Sequence, residues 1–172
     1  MLELLLLRHA KSRWDEPAAR DHDRDLAPRG EKAAKRIGRL IEELGLQPDL
    51  VLCSTARRAA RTWDLVAAEL AAAPPLHHDR ALYLATPEGM IEVARRHGGA
   101  ARRLVLVGHD PGIHRLAVGL AGSGDRELRT ALAAKFPTGG LARFRLDLGR
   151  WTEFTGAPGE LVGFWRPREL GD

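Results

Sequence analysis

The stretch that most limits what this chain can fold into is its beginning. Leu2 to Leu7 form an apolar run interrupted only by Glu3, and the run stops abruptly at Arg8-His9-Ala10-Lys11-Ser12. Leucine at positions 4, 5, 6 and 7 puts apolar side chains on both sides of an extended segment. Such a strand belongs in the middle of a sheet with a layer packed on each face, as parallel strands do. Open α/β sheets bind ligands at the carboxyl ends of their strands. A guanidinium and an imidazole delivered to that point suggest a histidine nucleophile with an oxyanion clamp beside it, which is phosphate chemistry.

The rest of the chain supplies the layers. A polar loop from Trp14 to Arg29 leads to apolar positions Ala33, Ile37, Leu40, Ile41 and Leu44, spaced as in a helix and ended by Gly45. Asp49–Cys53 reads as a second buried strand, and Ala56 to Leu70 as a second amphipathic helix stopped by Pro74-Pro75. A short helix is expected from Pro87 to about Arg96, a third strand at Leu104–Val107, and helices at Pro111–Ala121 and Asp125–Lys135. Phe144, Leu146 and Leu148 alternate with Arg143, Arg145 and Asp147, the period of a half-exposed strand. Gly149-Arg150 predicts a hairpin turn, and Leu161–Trp165 a last strand. Strands alternating with helices predict a three-layer α/β/α sandwich with a mostly parallel sheet and an antiparallel C-terminal edge.

At 172 residues the chain fits a single domain over positions 1–172. Its net charge of +4 is spread along the sequence, without the clustered basic stripe of a nucleic-acid binder. A lone cysteine, Cys53, excludes a disulfide framework and a cysteine-based zinc site. The N-terminal apolar run is too short for a membrane span and lacks the flanks of a secretion signal, so a cytoplasmic location is expected.

Two more strand ends carry the same kind of chemistry as the first. The second strand runs into Ser54-Thr55-Ala56-Arg57-Arg58, with Ser54 placed as an N-cap and a helix start suited to an anion. Arg57 and Arg58 point about 100° apart on a helix, so one of them faces a pocket there. The third strand runs into Gly108-His109-Asp110-Pro111, with Asp110 as a cap and Pro111 as first helical residue. Each junction alone has a plain structural reading: a strand-end pair, a solvated helix face, a hydrogen-bonded loop histidine. Three such ends on neighbouring parallel strands would bring their anion-binding groups to one edge of the sheet.

At these residues the chain resembles the histidine phosphatase superfamily, with its phosphoglycerate-mutase-like fold. Arg8, His9 and Ser12 match the family's first signature, Arg-His-Gly-x-Ser/Thr, with Ala10 in place of glycine and Lys11 in place of the common glutamate. Ser54, Arg58, Ala59 and Thr62 match Ser-x-x-x-Arg-Ala-x-x-Thr, and Gly108-His109 the third signature. Leu26-Ala27-Pro28-Arg29-Gly30 is similar to the family's Leu-Thr-x-x-Gly run. Length and the Arg-His-Ala-Lys-Ser variant look most like the SixA-type branch of phosphohistidine phosphatases. The resemblance implies that neutral His9 attacks phosphorus, that Arg8, Arg58 and a cationic His109 clamp the phosphoryl oxygens, and that Ser12 and Ser54 are further phosphate donors. It implies no cofactor and no metal. The substrate would be a phosphorylated protein, for example a histidine phosphotransfer domain, or alternatively a small phosphomonoester, with a non-catalytic phosphate-binding module as a third reading.

One departure bears on the leaving group. Many family members carry an acid on a Leu-x-Glu segment, where this chain has Leu82-Tyr83-Leu84; Glu88 is the nearby candidate general acid. A phosphoramidate needs less protonic help to break than an alkoxide ester, which favours phosphohistidine. His77-His78-Asp79 resembles a metal cluster but lacks a second ligand group at useful spacing. His22, among Asp21, Asp23 and Asp25, reads as part of a solvated loop. Trp14 reads as a lining of the site mouth or a packing residue, and Cys53 as a small buried side chain.

Overall fold

A computed structural model describes residues 1–17 and 19–171. The elements in chain order are β1 (Leu2–Arg8), α1 (Pro28–Glu43), β2 (Leu50–Ser54), α2 (Arg57–Ala67), β3 (Leu76–Asp79) and α3 (Pro87–His97). There follow β4 (Arg103–Gly108), α4 (Gly112–Leu120), β5 (Ala121–Gly124), α5 (Arg126–Ala134), β6 (Leu141–Leu146) and β7 (Gly159–Trp165). The strands form a seven-stranded sheet in the order β3-β2-β4-β1-β6-β7-β5. β6 runs against its neighbours β1 and β7, while the pairs β1–β4, β2–β4, β2–β3 and β5–β7 are parallel.

β1 lies inside the sheet between β4 and β6, as its uninterrupted leucines require. Leu5 and Leu7 pack with Ile37 and Ile41 of α1 and Trp63 and Val66 of α2 on one face. Leu4 and Leu6 pack with Met90 and Val93 of α3, Ile113 and Leu116 of α4, and Leu132 of α5 on the other. Four fully buried leucines in one strand make it a large contributor to the core, since truncating each to alanine costs about 2–5 kcal/mol. Glu3, at the far end of β1, is held between Arg103 and Arg143. Burial alone would raise its pKa, but hydrogen bonds and charge from these two arginines overcome that and hold the carboxyl below its ordinary value.

The α/β/α layering and the mostly parallel sheet agree with the sequence expectation, but three details differ. The predicted Gly149-Arg150 hairpin is absent; residues 147–158 form a longer connection around a 3-10 turn, Trp151–Glu153. Aromatic burial explains it: Trp151 and Phe154 sink into the core, and the Trp151 indole N–H donates to the Ala101 carbonyl at 2.7 Å. The strand expected around Phe144 to Leu148 starts earlier and ends at Leu146. Two short edge strands, β3 and β5, escape sequence reading because Leu-His-His-Asp and Ala-Gly-Ser-Gly carry no apolar alternation.

Candidate active site

The strand order β2-β4-β1 brings three carboxyl ends side by side, with Arg8 opposite Gly108 and Cys53 opposite Val107 in register. His9 leaves β1, His109 leaves β4, and Arg58 is the second residue of the helix that follows β2. Their side chains meet. The rings of His9 and His109 lie 5.2 Å apart, and Arg58, buried to 2 % exposure, reaches both. Its Nε donates to His9 Nε2 at 3.3 Å, and its Nη2 donates to His109 Nδ1 at 3.4 Å. Arg57 instead faces outward and pairs with Asp25 at 3.0 Å, so Arg58 is the arginine that enters the cluster.

Hydrogen-bond partners fix the protons on both rings. His9 Nδ1–H donates to the Ala10 carbonyl at 2.7 Å, so the lone pair sits on Nε2, where Arg58 donates. His109 accepts from Arg58 at Nδ1, so its proton is on Nε2 and goes to Ser54 Oγ at 2.8 Å. Burial first, and the charges around them second, push both imidazoles down to about 3. For His9 the result is a neutral ring with its lone pair oriented at Nε2. For His109, burial and then the charge of Arg58 outweigh the opposing pull of Asp21, so the ring is neutral without phosphate, and a phosphate dianion has to supply the charge that would protonate it.

Arg8 closes another side of the cluster. Its Nη1 donates to the Phe136 carbonyl at 2.8 Å and lies 3.6 Å from Asp110, while its buried Nε has no hydrogen-bond partner among the described residues. A guanidinium N–H left unpaired has a hydrogen bond to offer an anion.

Several residues outside the four hold this arrangement, and they give physical reasons for the motif positions. The Thr62 hydroxyl donates to the Arg58 carbonyl at 2.7 Å and accepts from the Ala10 amide at 3.0 Å, tying the second signature to the first. A Cβ on Gly30 would stand 2.1 Å from the Lys11 carbonyl oxygen, so only glycine lets α1 approach the loop after His9. Asp21 and Tyr83 were missed by sequence reasoning. Asp21 receives Arg58 through its carbonyl at 2.7 Å and its carboxylate at 3.1 Å, and Tyr83 donates its hydroxyl to the same carboxylate. Tyr83 also sets its ring edge against His109, 5.5 Å between centroids. The hydrogen bond from Tyr83, with the charge of Arg58, holds the Asp21 carboxyl below its ordinary value.

Other expected positions turn out differently. Ser54 is not the N-cap of α2, which is Ala56; its hydroxyl accepts from the Ala56 amide at 3.2 Å and receives His109. Asp110 does not cap α4 either, and Pro111 is the cap rather than the first helical residue; the Asp110 carboxylate turns to Arg8. Ser12 is buried where the chain bridges to Leu26, outside the hydrogen bonds that join the cluster. Glu88 is exposed on the first turn of α3 and takes no part in those hydrogen bonds. His22 is not simply solvated: it contacts Thr55 Oγ1 at 2.8 Å and the ring of Tyr83. Trp14 is exposed with Arg24 stacked on it, and Cys53 is buried, its thiol pKa pushed up by that burial.

Residues 4–83 match the family model described as histidine phosphatase superfamily (branch 1). An uncharacterised protein of Mycobacterium tuberculosis is 39% identical over 164 residues, covering 94% of this chain and all of the relative. A SixA crystal structure from Agrobacterium tumefaciens superposes with a TM-score of 0.81 at 28% identity, covering 96% of this chain and 98% of that one. A SixA structure from Nakamurella multipartitia gives 0.79 at 26% identity, covering 96% of each chain. The chain belongs to the histidine phosphatase superfamily, in its SixA-type branch.

Proposed function

We propose that residues 1–172 form one phosphatase domain that moves a phosphoryl group onto His9 Nε2 and then onto water, with phosphohistidine in a protein as its substrate. The observation that carries this reading is the state of His9: buried, neutral, its proton parked on the Ala10 carbonyl and its lone pair at Nε2 beside Arg58. The Nε2 lone pair forms a bond to phosphorus as the substrate's P–N bond breaks, and the departing imidazole keeps the electron pair and takes a proton from water. A second water then attacks the phosphoenzyme, releasing inorganic phosphate and restoring His9. Arg8 and Arg58 face the phosphoryl oxygens, and once the dianion is beside it His109 gives up the hydrogen bond from Arg58 and takes up a proton at Nδ1. Ser54 acts by holding His109 rather than by touching phosphate.

Among the described residues the carboxylates at the cluster are each paired with an arginine, Asp21 with Arg58 and Asp110 with Arg8, which supports phosphohistidine over alkyl phosphates. Glu88 is exposed, Tyr83 stands at the Leu-x-Glu position, and Asp21 is held ionised by Tyr83 and Arg58. The names of the two SixA proteins above suggest the same substrate class for them, in line with this reading. We place the activity in the cytoplasm, with a chemical step that needs no metal. Among the described residues no helix is long and apolar enough to cross a membrane.

The test compares hydrolysis of a phosphorylated histidine phosphotransfer domain with that of p-nitrophenyl phosphate and sugar phosphates, all in EDTA. Faster turnover of the phosphoprotein, with an acid-labile, alkali-stable label trapped on His9, is expected. Far faster turnover of the small esters would overturn the substrate in favour of a general phosphomonoesterase. Activity surviving in His9→Ala would overturn the mechanism, and loss of activity in EDTA the metal-free step.

A further inference from the structure

His77 and Asp79 sit two apart on β3, so their side chains leave the same face of the strand. Their register partners on β2 are Leu52 and Ser54, and Leu52 belongs to the core face covered by α3. His78 pairs with Cys53 and points to the opposite face. The second ligand group that the local sequence lacks comes from the end of α3. His97, its last residue, places Nε2 3.4 Å from Asp79 Oδ2, and His77 Nε2 lies 3.7 Å from the same oxygen. The two imidazole rings are 4.5 Å apart, and one ligand atom from each of the three residues lies within 4.8 Å of the others.

We propose that His77, Asp79 and His97 form a binding site for a divalent first-row transition ion such as Zn²⁺, separate from the phosphatase cluster. Tetrahedral zinc with bonds of about 2.0–2.1 Å sets its ligand atoms roughly 3.3 Å apart. Two of the three separations here are close to that value, and the third closes by a small side-chain rotation. Asp79 is already oriented by an outer partner: its Oδ1 accepts the Ala81 amide at 2.8 Å, which leaves Oδ2 for the ion. The carbonyl end of α3 adds a favourable dipole for a cation. Two imidazole nitrogens select zinc-like ions over magnesium or calcium, which prefer oxygen. The fourth position is left to water. Bound metal would clamp edge strand β3, which pairs with β2 alone, onto α3.

Tag-free protein titrated with Zn²⁺ by calorimetry, and with Co²⁺ by its visible spectrum, tests the site. One equivalent is expected to bind, and a hundredfold excess over Kd is expected to raise Tm by roughly 5–10 °C. His97→Ala and His77→Ala should each weaken binding by more than the roughly 10–100-fold that outer-shell changes cost. His78→Ala, altered on the other face, should bind as the wild type does. No binding by the wild type, binding retained in His97→Ala, or an equal loss in His78→Ala would each overturn the proposal. Melting the variants without metal separates lost ligation from lost folding.

Discussion

Lowering the pH from 7 to 5 should remove about 4 kcal/mol of folding stability through His9 and His109. In the folded protein both imidazoles have their pKa depressed to about 3, against the ordinary 6.5 of a solvated ring. Above pH 6.5 both folded and unfolded states are neutral at these positions, and the full stability is present. Below it the unfolded chain gains protons that the folded chain refuses, so stability falls as the pH drops from 6.5 towards 3. One and a half pH units below the unfolded pKa, at about 1.4 kcal/mol per unit, is about 2 kcal/mol for each histidine. The window from 7 to 5 lies above the ordinary carboxylate range, so acids contribute little to the change. Urea unfolding at the two pH values, in a buffer free of phosphate, measures it. The doubly substituted His9→Asn/His109→Asn protein should show a nearly flat profile over the same range. A wild-type loss under about 1 kcal/mol, or the same slope in the double variant, would refute the claim that these rings are folded in the neutral state.

Arg58→Ala should lower the rate of phosphoryl release by about 10²–10³, whereas Arg57→Ala, paired only with Asp25 at the surface, should change it no more than a few-fold; steady-state kinetics on one substrate compare them. Thr62→Val removes both the acceptor of the Ala10 amide and the donor to Arg58, and should cost about 1–3 kcal/mol in urea unfolding together with a fall in kcat; Thr62→Ser should restore most of both. Ala27 is the N-cap of α1, in an extended conformation with no side-chain hydrogen bond. Ala27→Thr, which restores the family's residue, should raise stability by about 1 kcal/mol, and an unchanged or lowered Tm would count against the capping argument.

The four central residues are legible in the sequence because each follows a buried strand, and strand ends are where apolar patterning is least ambiguous. Their convergence needed one more condition, that the three strands be neighbours, and the order β2-β4-β1 meets it. The choice of Arg58 over Arg57 came from motif spacing and is explained by burial. Asp21 and Tyr83 were out of reach because they lie in separate connecting segments 62 residues apart, and only the tertiary fold brings the hydroxyl to the carboxylate. The same holds for His97, which joins His77 and Asp79 from the far end of a helix. Helix caps were misread where a side chain with a good cap identity had stronger business elsewhere: Ser54 with His109, Asp110 with Arg8.

The central position of β1 has a consequence for how the chain is made. Its leucines are made well before the neighbours that cover their backbone, β4 and β6, which begin at residues 103 and 141. Leu4–Leu7 therefore wait, apolar and unpaired, until those strands are made, at sequence separations that make pairing slow. His9 hangs on the end of that strand, and its backbone carbonyl accepts the amide of Gly139, so a chain that stops short of that residue lacks part of the surroundings of His9. Catalytic activity is thus a reporter of this late long-range step in assembly, in which pairing with β6 both covers the apolar strand and completes the surroundings of His9.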